Sequence, residues 1–144
     1  MGNHFSKRAI KGITKVGNIY CPKNGEFPLF EESAGTQYLN DLVINVPEDD
    51  FASLNIVLIL FSFFPVFVLK WLIGIFENAM NNPGDSMLPS LLRQLNLGLR
   101  GLCYSVYYSE FTNASYTGKT PLQVIDYHVT RIELPSTPGD STYI

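Results

Sequence analysis

A chain of 144 residues is long enough to bury one hydrophobic core without disulfides or metals, and its length predicts a single domain. Only 16% of the residues are charged and 46% are hydrophobic, whereas about 25% are charged in a typical soluble domain. This composition predicts a surface with a large apolar share, which a partner subunit or a membrane usually covers. The net charge of −3 argues against nucleic-acid binding as the main role, because phosphate binding needs a basic face.

The charges are sorted along the first 50 residues. Residues 1–25 contain five bases and no acid, whereas residues 26–50 contain seven acids and no base. Two interpretations stay open. The segments are two solvated faces that pair in the fold, or the first is a basic amphipathic helix that touches anionic lipid.

The first predicted helix begins after Ser6, which can cap it, and runs to about residue 20. Its apolar residues fall on one stripe at helical spacing, and its lysines lie mostly opposite. Pro22 prevents its continuation, and residues 21–35 are turn-rich and predict an ordered loop. A second helix is predicted from residue 36 to about residue 45, before Pro47.

One apolar run, from Leu54 to Phe76, has about the length that spans a bilayer. Pro65 at its centre divides or kinks a helix, Lys70 lies inside it, and acids on both flanks give no positive-inside bias. A helix that is hydrophobic all round is also typical of the buried centre of a bundle. The residues leave two alternatives: a buried bundle, or a small membrane protein with one span or hairpin over residues 54–76.

The clearest helical pattern runs from Ser86 to Ser109, where leucines keep the 3.6-residue period. Gly98, Gly101 and Ser105 share a face on which another helix can approach closely, and internal packing is preferred there over a partner site. A capping box at residues 120–123 predicts a further short helix. These elements predict an all-α fold. It is a compact bundle of about five helices in one domain, residues 1–134, followed by a disordered, flexible tail, residues 135–144.

No residue pattern predicts catalysis. The sequence has no G-x-S-x-G, no glycine-rich phosphate loop and no G-x-G-x-x-G, so we expect neither an enzyme by itself nor FAD bound by this chain alone. His4 and His128 have no ligand-spaced neighbours, and no metal site is predicted. Cys21 and Cys103 form no C-x-x-C pair, and a reduced, buried Cys103 is expected in preference to a disulfide between them. No secretory or twin-arginine signal is recognised, which favours a cytoplasmic or peripherally membrane-associated protein.

Several short segments, taken in order, resemble a known family. The first lies between Phe5 and Pro22, where an opening helix ends in an apolar-x-Pro, and the second lies between Phe27 and Leu39. In the third, Leu99-Arg-Gly-Leu leads to Tyr107-Tyr-Ser and then to Tyr116-Thr-Gly. Over about residues 5–122, the chain resembles the small accessory subunit (subunit 3) of gluconate 2-dehydrogenase and of related sugar or alcohol dehydrogenases. A similar region precedes the flavin domain in some long-chain alcohol oxidases of the glucose–methanol–choline class.

The resemblance implies a non-catalytic small subunit that binds and stabilises a flavoprotein large subunit in a hetero-oligomer. The partner would be an FAD-dependent alcohol or sugar dehydrogenase or oxidase, and FAD would belong to it. The resemblance also favours a buried bundle over a membrane span for residues 54–76. The expected partner-binding residues are tyrosines and an arginine, which are common interface anchors, although core packing is the alternative for each tyrosine. They are Arg100, Tyr104, Tyr107, Tyr108 and Tyr116.

Overall fold

The computed structural model describes residues 2–81, 86–128 and 130. Within this part the chain is helical and contains no strand, which confirms the all-α prediction. The predicted tail, residues 135–144, lies outside the described residues. The helices are α1 (Lys7–Tyr20), α2 (Phe30–Ser33), α3 (Leu39–Leu42), α4 (Glu48–Phe63), α5 (Val66–Asn81), α6 (Met87–Tyr107) and α7 (Pro121–Val124), with a 3-10 turn at Thr36–Tyr38 before α3.

The helix starts follow local capping rules. The Ser6 hydroxyl accepts a hydrogen bond from the Ala9 N–H at 3.1 Å, and Thr120 caps α7 in a capping box with Gln123. Three acids in the first turn of α4 favour its start through the helix dipole. The predicted second helix ends earlier than expected, because α3 stops at Leu42 and a turn follows.

Pro65 divides the apolar run into two helices of 16 residues each, α4 and α5. Phe64 is extended, with φ −77° and ψ 140°, and ends α4. A proline after this residue disfavours helical backbone there, which accounts for the break. α4 packs along α1, whereas α5 packs along α6. Across the part of the chain that the structure describes, no helix has the length and apolar character needed to cross a membrane.

The core lies where α1 meets α4 and where α6 meets α1 and α5. α1 and α4 run in the same direction, since the Phe5 ring contacts the Phe51 ring at one end and Lys15 reaches the last turn of α4 at the other. The two backbones approach closely at Gly12, where a side chain would overlap the carbonyl group of Leu58. The largest fully buried apolar side chains are Ile13, Val16, Phe30, Leu39, Leu58, Leu69 and Leu99.

The expectation of a buried bundle for residues 54–76 is met on one face of the two helices only. One face of α4 and α5 enters the core through Leu58, Leu69 and Ile73. The opposite face carries large apolar side chains that remain exposed to solvent. They are Ile56, Leu60, Phe63, Phe64, Val66, Phe67, Trp71 and Ile75.

The small-residue face of α6 does not pack inside the molecule. Gly98, Gly101 and Ser105 are all exposed, and a Cβ atom at either glycine would have no neighbour within 4 Å. The interpretation of internal packing is therefore wrong. α6 instead turns Leu99 and Cys103 toward the core.

Candidate partner-binding site

Four of the five predicted partner-binding residues come together where α1 and α6 end. Arg100, Tyr104 and Tyr108 are spaced four residues apart, so they lie on one face of α6. Tyr104, Tyr107 and Tyr108 line a cavity of about 390 Å³ that we call the tyrosine pocket. Its other walls come from the end of α1 and the loop that follows, and they are Tyr20, Cys21, Pro22, Asn24 and Phe27.

The aromatic rings of the pocket contact one another edge to face. The centroid of the Tyr104 ring lies 6.4 Å from that of Tyr20 and 6.2 Å from that of Tyr108. The rings of Tyr107 and Tyr108 are nearly perpendicular, with centroids 5.0 Å apart. Such pairs stabilise one another beyond the area that they bury, so these side chains are held in place before any partner arrives.

Arg100 places a positive charge beside the pocket. Its guanidinium carbon lies 5.9 Å from the ring centroid of Tyr20 and 5.6 Å from that of Tyr104. One guanidinium nitrogen also donates to the Tyr104 hydroxyl oxygen at 3.5 Å, and this hydrogen bond raises the pKa of Arg100. The arginine therefore stays charged and is oriented by two aromatic rings.

A buried polar contact fixes the end of α1 against α6. The Tyr20 hydroxyl donates a hydrogen bond to Asn96 Oδ1, and Asn96 Nδ2 lies 2.8 Å from Met80 Sδ. Asn96 is completely buried in the middle of α6. Asn96 was not among the predicted site residues, although the sequence contains a signal for it. Asn96 is the polar member of a stripe that continues through Leu99 and Cys103 at helical spacing.

Tyr107 is a core residue rather than an accessible one. Only 4% of it is exposed, its ring stacks on Phe30 at 6.3 Å, and its hydroxyl donates to the Pro28 carbonyl oxygen at 2.6 Å. Core packing, the alternative weighed for each tyrosine, therefore describes Tyr107. The adjacent Tyr108 is 39% exposed and offers its ring to solvent.

Tyr116 lies apart from the tyrosine pocket. It lines a neighbouring cavity of about 370 Å³ with Gly118 and Lys119, and its hydroxyl donates to the Lys119 carbonyl oxygen at 2.6 Å. Phe27 and its loop border both cavities. Arg100, Tyr104 and Tyr108 thus form the accessible part of the candidate site, with Tyr116 at its edge.

The side chains that line the pocket are uncharged, and Arg100 lies beside them. Cys21 and Cys103 are free and buried, so the expectation that Cys103 is buried is confirmed. Burial raises the pKa of the Cys21 thiol to about 12 and also raises the pKa of Cys103, Tyr20 and Tyr107. Protonated thiols are poor nucleophiles and poor metal ligands. Among the residues that the structure describes, no group of three or more His, Cys, Asp or Glu could hold a metal. The arrangement is suited to binding by aromatic contact and hydrogen bonding.

These pKa values predict that the protein loses stability at alkaline pH. The pKa of Cys21 rises from the usual 9.0 to about 12 on folding, so between these values the unfolded chain has lost a proton that the folded chain keeps. The free energy of unfolding should therefore fall as pH rises through this window, by at most about 1.4 kcal/mol per pH unit for each such group. Urea unfolding at pH 8, 9, 10 and 11 measures the slope. The Cys21→Ala variant should show a shallower slope, and an unchanged slope would contradict the assignment.

Comparison with family models, curated proteins and solved structures found no match for this chain. The resemblance to the small dehydrogenase subunit therefore stays a prediction.

Proposed function

We propose that this chain is a non-catalytic small subunit that binds and stabilises a partner protein. Following the resemblance, we propose that this partner is an FAD-dependent alcohol or sugar dehydrogenase or oxidase of the glucose–methanol–choline class. Exposed apolar surface is the observation that carries the proposal. Monomeric soluble proteins rarely leave large contiguous apolar patches open to water.

The apolar surface that we assign to the partner excludes the turn between α4 and α5. It lies on α4 and along the N-terminal half of α6. On α6 the exposed side chains are Met87, Leu88, Leu91 and Leu97. Between α4 and α6 lies a groove of about 530 Å³, lined mostly by Leu and Val side chains. A partner that covered this area would remove apolar surface from water, which stabilises both proteins.

The tyrosine pocket supplies the specific contacts in this proposal. Arg100, Tyr104 and Tyr108 combine large contact area with directed polar groups. Because their rings and the guanidinium group already hold one another, little side-chain freedom is lost on binding, and this favours affinity. Removal of hydride from an alcohol carbon to the flavin would belong to the partner and its FAD.

Co-expression with an FAD-dependent dehydrogenase or oxidase of the glucose–methanol–choline class from the same organism tests the proposal. We expect the two proteins to co-elute in size-exclusion chromatography, with absorbance in the flavin band in the shared peak. The double variant Tyr104→Ala, Tyr108→Ala should reduce recovery of the complex at least about tenfold, since interface tyrosines commonly contribute more than about 1 kcal/mol each. Tyr107 is unsuitable for this test because its loss would disturb the core.

Tyr127→Ala is the matched control, because Tyr127 is also exposed and does not line the tyrosine pocket. It should co-elute as the unchanged chain does, and circular dichroism should show that all variants keep their helices. Full co-elution of the double variant would refute the site. Absence of any flavin-bearing complex with the unchanged chain would refute the proposed function.

A further inference from the structure

The turn between α4 and α5 forms a protruding apolar surface that we call the aromatic corner. It consists of Phe63, Phe64, Val66, Phe67 and Trp71, all exposed. The two most prominent rings, Phe67 and Trp71, are 74% and 66% exposed and are spaced four residues apart, so they lie side by side on α5. None of these side chains lines the tyrosine pocket.

Basic side chains lie beside the corner. The exposed bases Arg8 and Lys11 are on α1, which packs along α4, and Lys70 lies between the two prominent rings in sequence. The guanidinium carbon of Arg8 lies 5.2 Å from the centroid of the Phe63 ring. Residues 51–76 contain no acid. The acids of α4 are in its first turn, at the other end of the helix.

The one acid of α5, Glu77, belongs to a different part of the surface. It lies close enough to Tyr20 and Arg100 to influence their pKa values, which places it toward the tyrosine pocket. The charged side chains that contact the corner, Arg8 and Lys15, are both basic. A surface that combines exposed aromatic rings with cations complements a layer of anionic headgroups above hydrocarbon.

The corner is also held in a fixed shape. The Lys15 ammonium donates hydrogen bonds to the carbonyl oxygens of Ser62 and Phe64 at 2.8 and 3.0 Å. These carbonyls end α4 and would otherwise lack helical partners. A cation at this position also interacts favourably with the helix dipole. The same residue thus shapes the turn and adds positive charge to it.

We propose that the aromatic corner docks the protein on an anionic lipid surface, with Phe67 and Trp71 at the headgroup level. α1 does not insert, because its apolar stripe, including Ile13 and Val16, is buried in the core. It supplies charge, and the turn between α4 and α5 supplies the apolar contact. The proposal goes beyond the binding of a flavoprotein, and it does not depend on that function.

Trp71 makes the test direct, because it is the only tryptophan in the chain. The purified 144-residue protein is titrated with vesicles of phosphatidylcholine containing 30% phosphatidylserine, and with vesicles of phosphatidylcholine alone. We expect the tryptophan emission to move to shorter wavelength on the anionic vesicles. The apparent affinity should fall with added salt, and it should be much weaker on the neutral vesicles.

Single substitutions test which side chains contact the vesicle surface. Phe67→Gln should weaken binding to the anionic vesicles at least about tenfold, because an aromatic ring no longer enters the interface. Lys70→Gln should weaken it about fivefold, as expected for one charge near an anionic surface. Leu88→Gln is the control, since Leu88 is 66% exposed on α6 and lies outside the corner. Binding of the control should be unchanged.

Three outcomes overturn the proposal. One is an emission spectrum that does not change on anionic vesicles, and another is equal weakening by Phe67→Gln and Leu88→Gln. The third is a Phe67→Gln variant that binds vesicles normally but no longer co-elutes with the flavoprotein, which would make the corner a protein interface. Vesicle binding lost with co-elution intact supports the proposal and leaves the proposed function standing.

Discussion

Replacement of Phe30 by alanine is expected to lower the free energy of unfolding by about 3–5 kcal/mol. Phe30 is completely buried, and its ring stacks on Tyr107 of α6. Its edge lies against Gly17 of α1, where a Cβ atom would overlap the ring. One side chain therefore fills the space between α1, α2 and α6, and its removal leaves a cavity that the backbone cannot close. Because small domains are stable by only about 5–15 kcal/mol, this is a large share of the total.

Urea unfolding followed by circular dichroism measures this loss. The control is Phe67→Ala, the same chemical change at a ring that is 74% exposed, and it should change stability by less than about 0.5 kcal/mol. Similar losses in the two variants would contradict the core described above. The Phe30 variant should also disturb the tyrosine pocket, since the Phe30 ring packs against Tyr107, which lines it.

The helices that local patterns specify were predicted well. α6 was expected from Ser86 to Ser109 and runs from Met87 to Tyr107, because its leucines keep one period without interruption. The start of α1 after Ser6 and the break at Pro65 depend on capping and on proline geometry, and both act within a few residues. The same locality explains why the common face of Arg100, Tyr104 and Tyr108 was predictable.

The exposed and buried faces of α4 and α5 could not be predicted, because an apolar residue at nearly every position gives no periodic signal. Only the tertiary positions of α1 and α6 decide that Leu58 is buried and that Leu60 is exposed. For the same reason, the sequence does not predict that Tyr107 is buried and that Tyr108 is exposed. Adjacent residues point about 100° apart on a helix, and the sequence does not state which direction meets Pro28 and Phe30.

The walls of the tyrosine pocket show most clearly which contacts could not be predicted from the sequence. Tyr20 reaches Asn96 and Arg100 only because α1 packs against α6, and these residues are far apart in the chain. No pattern within a few residues predicts that Tyr20 contacts Asn96 and Arg100. The aromatic corner has the same origin, since its bases come from α1 and its rings from the turn between α4 and α5.

Replacement of Gly12 by alanine is expected to destabilise the protein by about 1–3 kcal/mol. Alanine alone would favour an isolated helix by about 1 kcal/mol over glycine. At this position, however, the new methyl group would overlap the backbone carbonyl of Leu58, which cannot rotate away as a flexible side chain can. α1 and α4 would have to separate, and close packing would be lost along their contact. Urea unfolding of the variant measures the net effect.

The same substitution at Gly98 is expected to have the opposite effect on the free energy of unfolding. Gly98 lies within α6 and a Cβ atom there would meet nothing within 4 Å, so only the gain in helix propensity remains. We expect Gly98→Ala to raise the free energy of unfolding by about 0.5–1 kcal/mol. Opposite signs at the two glycines would establish that α1 and α4 are in close contact while this face of α6 is open. An increase in stability in both variants would show that α1 and α4 lie further apart than described, and the core built on their contact would then be incorrect.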